Sequence, residues 1–593
     1  MSPKPARPPE PASDAWKLPF LAALLFVSGA CALVYQTAWM REFRLIFGGA
    51  TPAAAAVLAV FMGGLGLGGA WFGRRAERTR SVLRLYALLE VGIGLSAAAT
   101  PWLLDGVRAV YLRTGGVLTL GSIGASVAHL GLAVVVLGIP CFLLGGNLPP
   151  AVKWIETDED RQRGALGVIY GANALGAVVG VLGSTFWALE TLGTRGTLLA
   201  AAGVHLVLGI VAWRVARAED AAGVAPPVAA ELKGEGTVEA PRRWVSSTAG
   251  LPVGRAPARF VYGAAAVTGF SFFLAELVWF RMLSPLLGGS VYSFGLILAL
   301  VLLGIGIGAG MYRVLIAGRE GWTNLGTLSV ISALQAVALA IPWALGDRMA
   351  VMTFHAQQWR SLGFGGLLAA WSLTSGLAVF LPSVLAGLQF PLLVGLLGEG
   401  RRDAARQVGA AYAANTAGAI VGSVAGGFLL IPWLTAPGCW RLVVALALAL
   451  GFIALLLWER PWHPSVMFGT LLLSALAVGM AFHARGPTAA WRHTSIGYGI
   501  LQTLPSSPVA IEDQIRSSRR HLAKEYEGRE SSIAVMRGDE GWALFSNGKA
   551  DGSALSDAGT QVMLGLVSAM EHPGPRSAFV IGLGTGTSAG WLA

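Results

Sequence analysis

Charged residues are scarce in this sequence: they make up only 13% of its 593 residues, whereas 54% are hydrophobic. A soluble domain carries about a quarter charged residues, so this deficit excludes a single soluble domain and predicts many membrane spans. Cysteine is also scarce, since only Cys31, Cys141 and Cys439 are present, each in an apolar stretch. Their positions fit neither a disulfide framework nor a metal site, and we expect no metal.

Glycine and basic residues are instead in excess, with 80 glycines and a net charge of +11. The glycines follow no collagen-like period and lie inside apolar runs, where they let membrane helices approach closely. Residues 484–593 contain 10 basic and 10 acidic residues, so the whole charge excess lies before them. We therefore expect the lipid bilayer as a partner and no nucleic acid, which would require a clustered basic face on a soluble domain.

Apolar runs of about 20 residues, the length that crosses a bilayer, recur along the chain. They predict an N-terminal tail (1–17), a first six-helix region (18–213), a polar linker (214–257), a second six-helix region (258–458), a thirteenth span (459–483) and a soluble segment (484–593). The predicted fold class is an α-helical polytopic membrane protein with two six-helix repeats and one further span. It is followed by the start of a β-hairpin/Rossmann-like α/β domain.

The two six-helix regions are internal repeats. An offset of 240 residues pairs Trp39 and Arg41 with Trp279 and Arg281, which we expect to be anchors at the lipid headgroups. The same offset pairs Gly64, Gly66 and Gly68 with Gly304, Gly306 and Gly308. An offset of 242 pairs Pro140, Pro149, Tyr170, Asn173, Gly176 and Gly180 with Pro382, Pro391, Tyr412, Asn415, Gly418 and Gly422. An even number of spans in each half makes the repeats parallel, as in transporters built from two six-helix bundles.

Basic residues in the loops predict the orientation in the cell membrane. With a cytoplasmic N-terminus, 24 Lys and Arg residues up to position 483 fall on the inner side and 9 on the outer side, as the positive-inside rule requires. Thirteen spans then place residues 484–593 outside the cytoplasm.

Polar side chains inside the predicted spans are the first candidate functional residues, because they are costly in hydrocarbon and face the bundle interior. They are Gln36, Glu90, His129, Asn173, Glu276, Gln389 and Asn415. One interpretation is a central polar cavity; the other is hydrogen bonding between helices. The ionisable Glu90 and Glu276 favour the cavity. Packing is favoured for the asparagines, which lie next to GxxxG runs, and for His129.

The soluble segment begins with short β-type runs at 530–537 and 542–547, joined by a hairpin turn at 538–541. Asn547-Gly548 predicts a second tight turn, and residues 557–571 a helix. The run Ser577-Ala-Phe-Val-Ile-Gly-Leu-Gly-Thr-Gly-Thr587 then predicts a buried strand, a glycine-rich turn and a helix. That order is typical of the first βα unit of a nucleotide-binding sheet, although a simple tight turn is the alternative.

These soluble motifs resemble a known family. The order of hairpin, Asn547-Gly548-Lys549-Ala550-Asp551, helix, His572-Pro573-Gly574-Pro575 and Val580-Ile581-Gly582-Leu583-Gly584-Thr585-Gly586 is similar to the start of spermidine synthase (polyamine aminopropyltransferase) domains. Together with the two-bundle membrane part, the chain resembles bacterial major-facilitator/spermidine-synthase fusions. The resemblance implies a cofactor of the S-adenosylmethionine type, intact or decarboxylated, and a polyamine or other small-molecule substrate. The cofactor-binding residues that it implies are Gly582, Gly584, Thr585, Gly586 and Asp551.

The sequence also departs from the family it resembles. Thr585 replaces the acidic residue of the glycine turn, Asp551 stands where the family has glutamine, and Thr560-Gln561-Val562-Met563 replaces a Tyr-His-Glu-Met run. We expect no complete catalytic domain within these 593 residues. Three functions therefore stay open: an adenosyl-cofactor-dependent aminopropyl or related transferase, a two-bundle transporter with a nucleotide-binding regulatory domain, and a non-catalytic membrane scaffold. A cytosolic cofactor favours a cytoplasmic soluble segment, whereas the loop charges favour the opposite side.

Overall fold

The fold was analysed in a computed structural model, which describes residues 15–47, 51–157, 160, 162–221, 256–398, 403–458, 463–494, 507–538 and 541–593. Most of the predicted linker, the Gly48-Gly49 pair and the turn residues 539–540 lie outside the described residues. The long helices of the first half are α1 (Lys17–Phe47), α2 (Thr51–Arg78), α3 (Val82–Arg113), α4 (Gly116–Gly145), α5 (Gly164–Gly183) and α6 (Gly193–Ala221). Those of the second half are α7 (Ala258–Leu287), α8 (Val291–Tyr312), α9 (Leu325–Leu345), α10 (Phe364–Gly395), α11 (Ala404–Ala425) and α12 (Ile431–Leu456), and α13 (Pro464–Val478) follows them.

Thirteen of these helices serve as membrane crossings. Twelve helical stretches in the described part of the chain are long and apolar enough to cross a bilayer. One of them, Ala404–Leu456, is 53 residues long, which at about 1.5 Å per residue is far more than one crossing needs. It is broken at Thr435, inside α12, where φ is 65°, so it supplies two crossings: one consists mainly of α11 and the other of the rest of α12. The predicted fold class, a multi-pass helical membrane protein, is confirmed.

The internal repeat is visible in the helix pairings. In the first half α1 packs on α5, α2 on α4 and α3 on α6; in the second half α7 packs on α11, α8 on α10 and α9 on α12. A π-helical turn follows α5 at Ser184–Ala188 and α11 at Gly426–Leu430. The next break falls at Gly193 in one half and at Thr435 in the other, with φ of 66° and 65°. Equivalent residues therefore have equivalent structures, as the offsets of 240 and 242 predict.

Glycine permits the closest of these helix pairings. A Cβ atom on Gly180 of α5 would lie 2.0 Å from the carbonyl oxygen of Ala30 on α1, and one on Gly422 of α11 would lie 2.4 Å from that of Phe270 on α7. No real side chain tolerates such contacts, so the backbones approach at a distance that only glycine allows. The glycines inside the apolar runs thus set the spacing of α1 against α5 and of α7 against α11.

The two halves meet through helices at the centre of the molecule, where α2 packs on α11 and α5 packs on α8. Because α1 and α7 begin on the same face of the bundle, we call that side the N-face, and the opposite side, where they end, the C-face. The odd number of crossings brings the chain out of α13 at the C-face.

The soluble segment contains an antiparallel sheet of β1 (Leu522–Glu527), β2 (Ser532–Gly538), β3 (Gly541–Ser546) and β4 (Lys549–Ser553), in that order. Helices α14 (Pro508–His521), α15 (Ala558–Met570) and α16 (Thr587–Leu592) flank it. The predicted strands and helix correspond to β2, β3 and α15, and the tight turn at Asn547-Gly548 has φ of 49° and 80°. The predicted strand at 577–581 is absent, since this stretch is irregular and the Phe579 and Ile581 side chains are exposed. A strand needs a neighbour for its backbone groups, and none of β1 to β4 pairs with these residues.

This sheet contacts the C-face end of α7. The Arg281 guanidinium donates hydrogen bonds to the backbone oxygens of Gly528 (3.2 Å) and Arg529 (2.9 Å), which connect β1 to β2. The Trp491 indole donates to the Met282 carbonyl at 2.6 Å. The sequence suggested that Arg281 anchors at the lipid headgroups, but in the structure it holds the soluble segment.

Charged side chains at the C-face reinforce this contact. Arg492, buried below the sheet, forms ion pairs with Glu525 at 2.9 Å and Glu527 at 2.5 Å. A hydrogen bond from His493 (3.0 Å), aided by the positive charge of Arg492, lowers the pKa of the Glu525 carboxyl to about 2. Because this pKa is depressed, the stabilisation is complete above the ordinary glutamate pKa of about 4.3 and is lost only as the pH falls through about 2.

Candidate functional site

A cavity of about 950 Å³ lies between the two halves. Helices from both repeats line it, chiefly α1, α2 and α5 of the first half and α7, α8 and α11 of the second. The cavity reaches the C-face, where its lining includes Leu45 at the end of α1 and Val291 at the start of α8, and both side chains are exposed. It has the volume of a small-molecule pocket and the position of a passage through the bundle.

Polar side chains enter this cavity in repeat-related pairs. The pairs are Gln36 with Glu276, Asn173 with Asn415, Ser28 with Thr268, and Asn147 with Gln389. The first two pairs were predicted cavity residues, and the structure brings all four of those side chains together at one surface. Asn147 was missed, although the 242-residue offset from Gln389 could have identified it. Asn415 also fits the packing interpretation, because its amide donates to the Ala265 carbonyl of α7 at 3.0 Å.

Glu276 is the one acidic side chain among the described residues that line the deep part of the cavity. Among the described lining residues, the only other charged side chains are Arg41, Arg44 and Glu190, all near the C-face. Glu276 lies 11 residues before the end of α7, or about 16 Å along the helix axis. The carboxylate therefore lies inside the bundle and not at its C-face end.

The N-face end of the cavity is closed by aromatic rings. Tyr170 and Phe390 have ring centroids 4.9 Å apart, and Phe390 and Tyr412 lie 6.2 Å apart. All three line the cavity and come from α5, α10 and α11. They form its floor, with contributions from both halves.

Glu77 at the end of α2 joins the halves beyond this floor. Its carboxylate accepts hydrogen bonds from the backbone N–H groups of Ala405 (2.9 Å) and Arg406 (3.2 Å). These residues begin α11, where unpaired N–H groups and the helix dipole favour a negative charge. Lys153 adds an ion pair to the same carboxylate at 2.7 Å.

A second contact between the halves closes the N-face at α5 and α8. The Tyr312 hydroxyl donates to the Gln162 carbonyl at 2.7 Å, and the Gln162 amide donates to the Arg319 carbonyl at 3.1 Å. The fully buried Arg163 donates to the Val394 carbonyl of α10 at 3.3 Å. The cavity is therefore open at one face of the bundle and shut at the other.

Glu90 lies outside the cavity lining, in the interior of the first half. Its carboxylate contacts the His205 Nδ1 of α6 at 2.5 Å and accepts a hydrogen bond from the Asn147 amide at 3.0 Å. Glu90 and His205 are both fully buried. Asn147 lines the cavity and bonds Glu90, so one residue separates this pair from the cavity.

The second half has no such ion pair at the equivalent place. The 242-residue offset maps Glu90 onto Ser332 and His205 onto Ala447. Gln389, the equivalent of Asn147, donates to Ser332 at 3.4 Å and to Gln335 at 2.7 Å. The buried charges are thus specific to the first repeat. No feature of the sequence near Glu90 indicates its partner, because His205 is 115 residues away.

His129 is a packing residue, as its position in an apolar run suggested. Its Nε2 lies 2.9 Å from the Tyr111 hydroxyl, and its ring stacks on Phe47 at 4.2 Å. It takes no part in the cavity lining.

The predicted cofactor residues lie in the soluble segment, away from the cavity. Gly582, Gly584 and Gly586 have φ of 86°, 54° and 80°, and a Cβ on any of them would meet open space. The Thr585 methyl lies 3.1 Å from where a Cβ on Gly552 would be, so the glycine turn is adjacent to β4, which carries Asp551. An exposed backbone of this kind fits the close approach of a cofactor.

Comparisons with known proteins agree with parts of this description. No family model matches the sequence. The chain is 32% identical over 194 residues to polyamine aminopropyltransferase 2 of Streptomyces coelicolor, which is 31% of this chain and 33% of that protein. The chain thus spans about a third of the length of this curated relative.

Solved structures of transporters are also similar to the chain. A bacterial homologue of the iron transporter ferroportin is 15% identical and covers 77% of this chain and 99% of its own, with a TM-score of 0.44. The proton:xylose symporter XylE is 14% identical and covers 75% of this chain and 94% of its own, with a TM-score of 0.43. The Escherichia coli fucose:proton symporter FucP is 13% identical and covers 76% of this chain and all of its own, with a TM-score of 0.44. The evidence for the fold of this chain is the set of helices and helix contacts described above. The chain is therefore a multi-pass membrane protein of two six-helix repeats, and about a third of it is similar to part of a polyamine aminopropyltransferase.

Proposed function

We propose that the membrane part is a small-molecule transporter that works by alternating access between the two halves. The observation that carries this proposal is the cavity of about 950 Å³, open at the C-face and closed at the N-face. Parallel repeats that enclose a site near the middle of the bilayer can rock against each other and expose the site to either face in turn. A static scaffold has no need of a polar cavity of this size between its halves.

A second function is proposed for the soluble segment, in addition to transport. The resemblance of residues 547–586 to the start of spermidine synthase domains favours an adenosyl-type cofactor held at Gly582, Gly584, Thr585 and Gly586, with Asp551 nearby. The 32% identity over 194 residues to a polyamine aminopropyltransferase supports this proposal. Such a cofactor would supply a transferable alkyl group. The contacts of Arg281 and Trp491 join this segment to α7, the helix that carries Glu276. Binding at the segment can therefore act on the cavity through α7, which fits the alternative of a regulatory domain.

We test the transport mechanism by measuring distances across both faces. Spin labels at Leu45 and Val291 report the cavity mouth, and labels at the exposed Arg78 and Glu320 report the N-face. Alternating access predicts a second population in which the mouth is narrower and the N-face wider. Glu77→Gln removes the negative charge at the start of α11, so we expect it to enlarge that population several-fold.

Asp403→Asn is the matched control for this experiment. Asp403 lies on the same face, but its ion pair with Arg406 (3.0 Å) stays within one half, so the distances should not change. A single, unchanged distance distribution at both faces, in the native protein and in Glu77→Gln, would count against a transporter and in favour of a scaffold.

We also propose that the N-face is cytoplasmic, which places the soluble segment outside the cytoplasm. The 24 to 9 distribution of basic residues supports this orientation. Cysteine at the exposed Glu512 of α14 should react in intact cells with a membrane-impermeant thiol reagent, whereas cysteine at the exposed Arg78 should react only after lysis. The reverse pattern would place the soluble segment in the cytoplasm, next to a cytosolic cofactor. The native cysteines are buried and give little background.

A further inference from the structure

We propose that the cavity binds a monovalent organic cation, an amine whose ammonium group lies at Glu276 and whose apolar body packs against neighbouring aromatic rings. This inference rests on the proposed function, because it names the class of solute that the transporter carries.

The charge distribution in the cavity is the first argument. Glu276 forms no hydrogen bond or ion pair with any other side chain in the described part of the chain. A carboxylate without such a partner inside a membrane bundle is costly, and a cation in the cavity would offset that cost. The repeat-equivalent residue is the neutral Gln36, which lines the same cavity. The cavity therefore accommodates a neutral glutamine at the equivalent position of the first half. The carboxyl group of Glu276 is present only in the second half.

The rings around Glu276 are the second argument. Phe272 and Phe273 lie four and three residues before Glu276, and Phe280 lies four residues after it. All three phenylalanines line the cavity. Residues at these spacings share one face of a helix. The faces of aromatic rings attract cations, and they also pack against an apolar body. The Glu276 carboxylate is thus flanked by aromatic rings on the cavity-facing side of α7.

The number of acidic groups in the cavity limits the class of ligand further. Among the described lining residues of the deep cavity, a second ammonium group would find amide and hydroxyl groups but no second carboxylate. The other carboxylate of the lining, Glu190, is at the mouth, where Arg41 and Arg44 also lie. A diamine would therefore leave one charge uncompensated in a desolvated place. An anion would be repelled by Glu276. A monoamine with an aromatic or aliphatic body satisfies both constraints.

The test is binding of radiolabelled phenethylamine to the purified full chain, measured by scintillation proximity. We expect saturable binding that weakens about 10- to 100-fold in Glu276→Gln, the loss typical of a charged hydrogen-bond partner. Glu276→Asp should keep more affinity than Glu276→Gln. Glu320→Gln is the matched control, because Glu320 is exposed at the N-face and lies outside the cavity lining, and this variant should bind nearly as the native protein does.

Ligand analogues keep the proposal testable even if Glu276→Gln does not fold. Against the native protein, phenethyl alcohol (neutral), phenylacetate (negative) and para-xylylenediamine (two charges) should each compete at least tenfold more weakly than phenethylamine. Equal affinity of the native protein and Glu276→Gln, or competition by the alcohol or the diamine as strong as by phenethylamine, would overturn the assignment. The distance measurements are independent: alternating access without amine binding refutes only this inference, whereas amine binding with a rigid bundle refutes only the transport mechanism.

Discussion

Replacing Gly180 with leucine is expected to prevent the first repeat from folding. The new Cβ would lie 2.0 Å from the Ala30 carbonyl oxygen, a backbone atom that cannot rotate away. Overpacking in a dense interior costs about 1–3 kcal/mol or more, and here relief requires α1 and α5 to separate along their whole contact. We expect loss of the monodisperse peak in size-exclusion chromatography of a fluorescent fusion, or a fall of more than about 10 °C in Tm.

Gly183, three residues further along α5, provides the control. A Cβ at Gly183 meets no atom within 4 Å, so Gly183→Leu adds the same side chain to the same helix without a clash. Its Tm should stay close to that of the native protein, because leucine also favours helix more than glycine does. Similar losses from both substitutions would mean that helix spacing does not depend on the Gly180 contact.

His205→Ala is expected to be strongly destabilising because it leaves a buried carboxyl group without the imidazole that it contacts. Glu90 would retain the Asn147 amide at 3.0 Å but lose the His205 ring at 2.5 Å. Breaking a buried pair by removing one partner costs about 3–5 kcal/mol. The stacking of His205 on Tyr35, at 5.5 Å, is lost as well. Thermal or denaturant melting of the purified protein measures this loss.

The second repeat suggests the compensating change. Glu90→Ser combined with His205→Ala reproduces the Ser332 and Ala447 that occupy the equivalent positions. This double variant should be more stable than His205→Ala alone, since no unpaired charge remains. Arg195→Ala, which breaks an exposed ion pair with Asp105, should cost only about 0–1 kcal/mol. A double variant less stable than His205→Ala would show that the carboxylate is held by other groups.

Repetition made much of the architecture predictable. The offsets of 240 and 242 identified the halves and paired Gln36 with Glu276 and Asn173 with Asn415. Those four side chains do line one cavity. The strand predicted at 577–581 was wrong for a physical reason: an apolar run becomes a strand only where another strand can bond to it, and β1 to β4 do not.

The charged residues near the C-face show a different limit. Trp279 and Arg281 match Trp39 and Arg41 in sequence, and a shared role at the lipid headgroups was the natural prediction. Arg281 instead donates to the backbone of the soluble sheet. The soluble segment follows only the second repeat. Its contact with Arg281 therefore gives that residue a role that the repeat alone does not predict.

The sequence by itself determined that this protein is a membrane bundle of two parallel repeats with a thirteenth span, because length, hydropathy and self-similarity are properties of contiguous residues. The tertiary structure alone decided how its two candidate carboxylates differ. Glu90 and Glu276 look alike in sequence, each an acid within an apolar run, yet Glu90 is buried against His205 while Glu276 faces a cavity. Their environments are made by helices far away in the chain, and burial and charge pairing depend on which side chains those helices bring near.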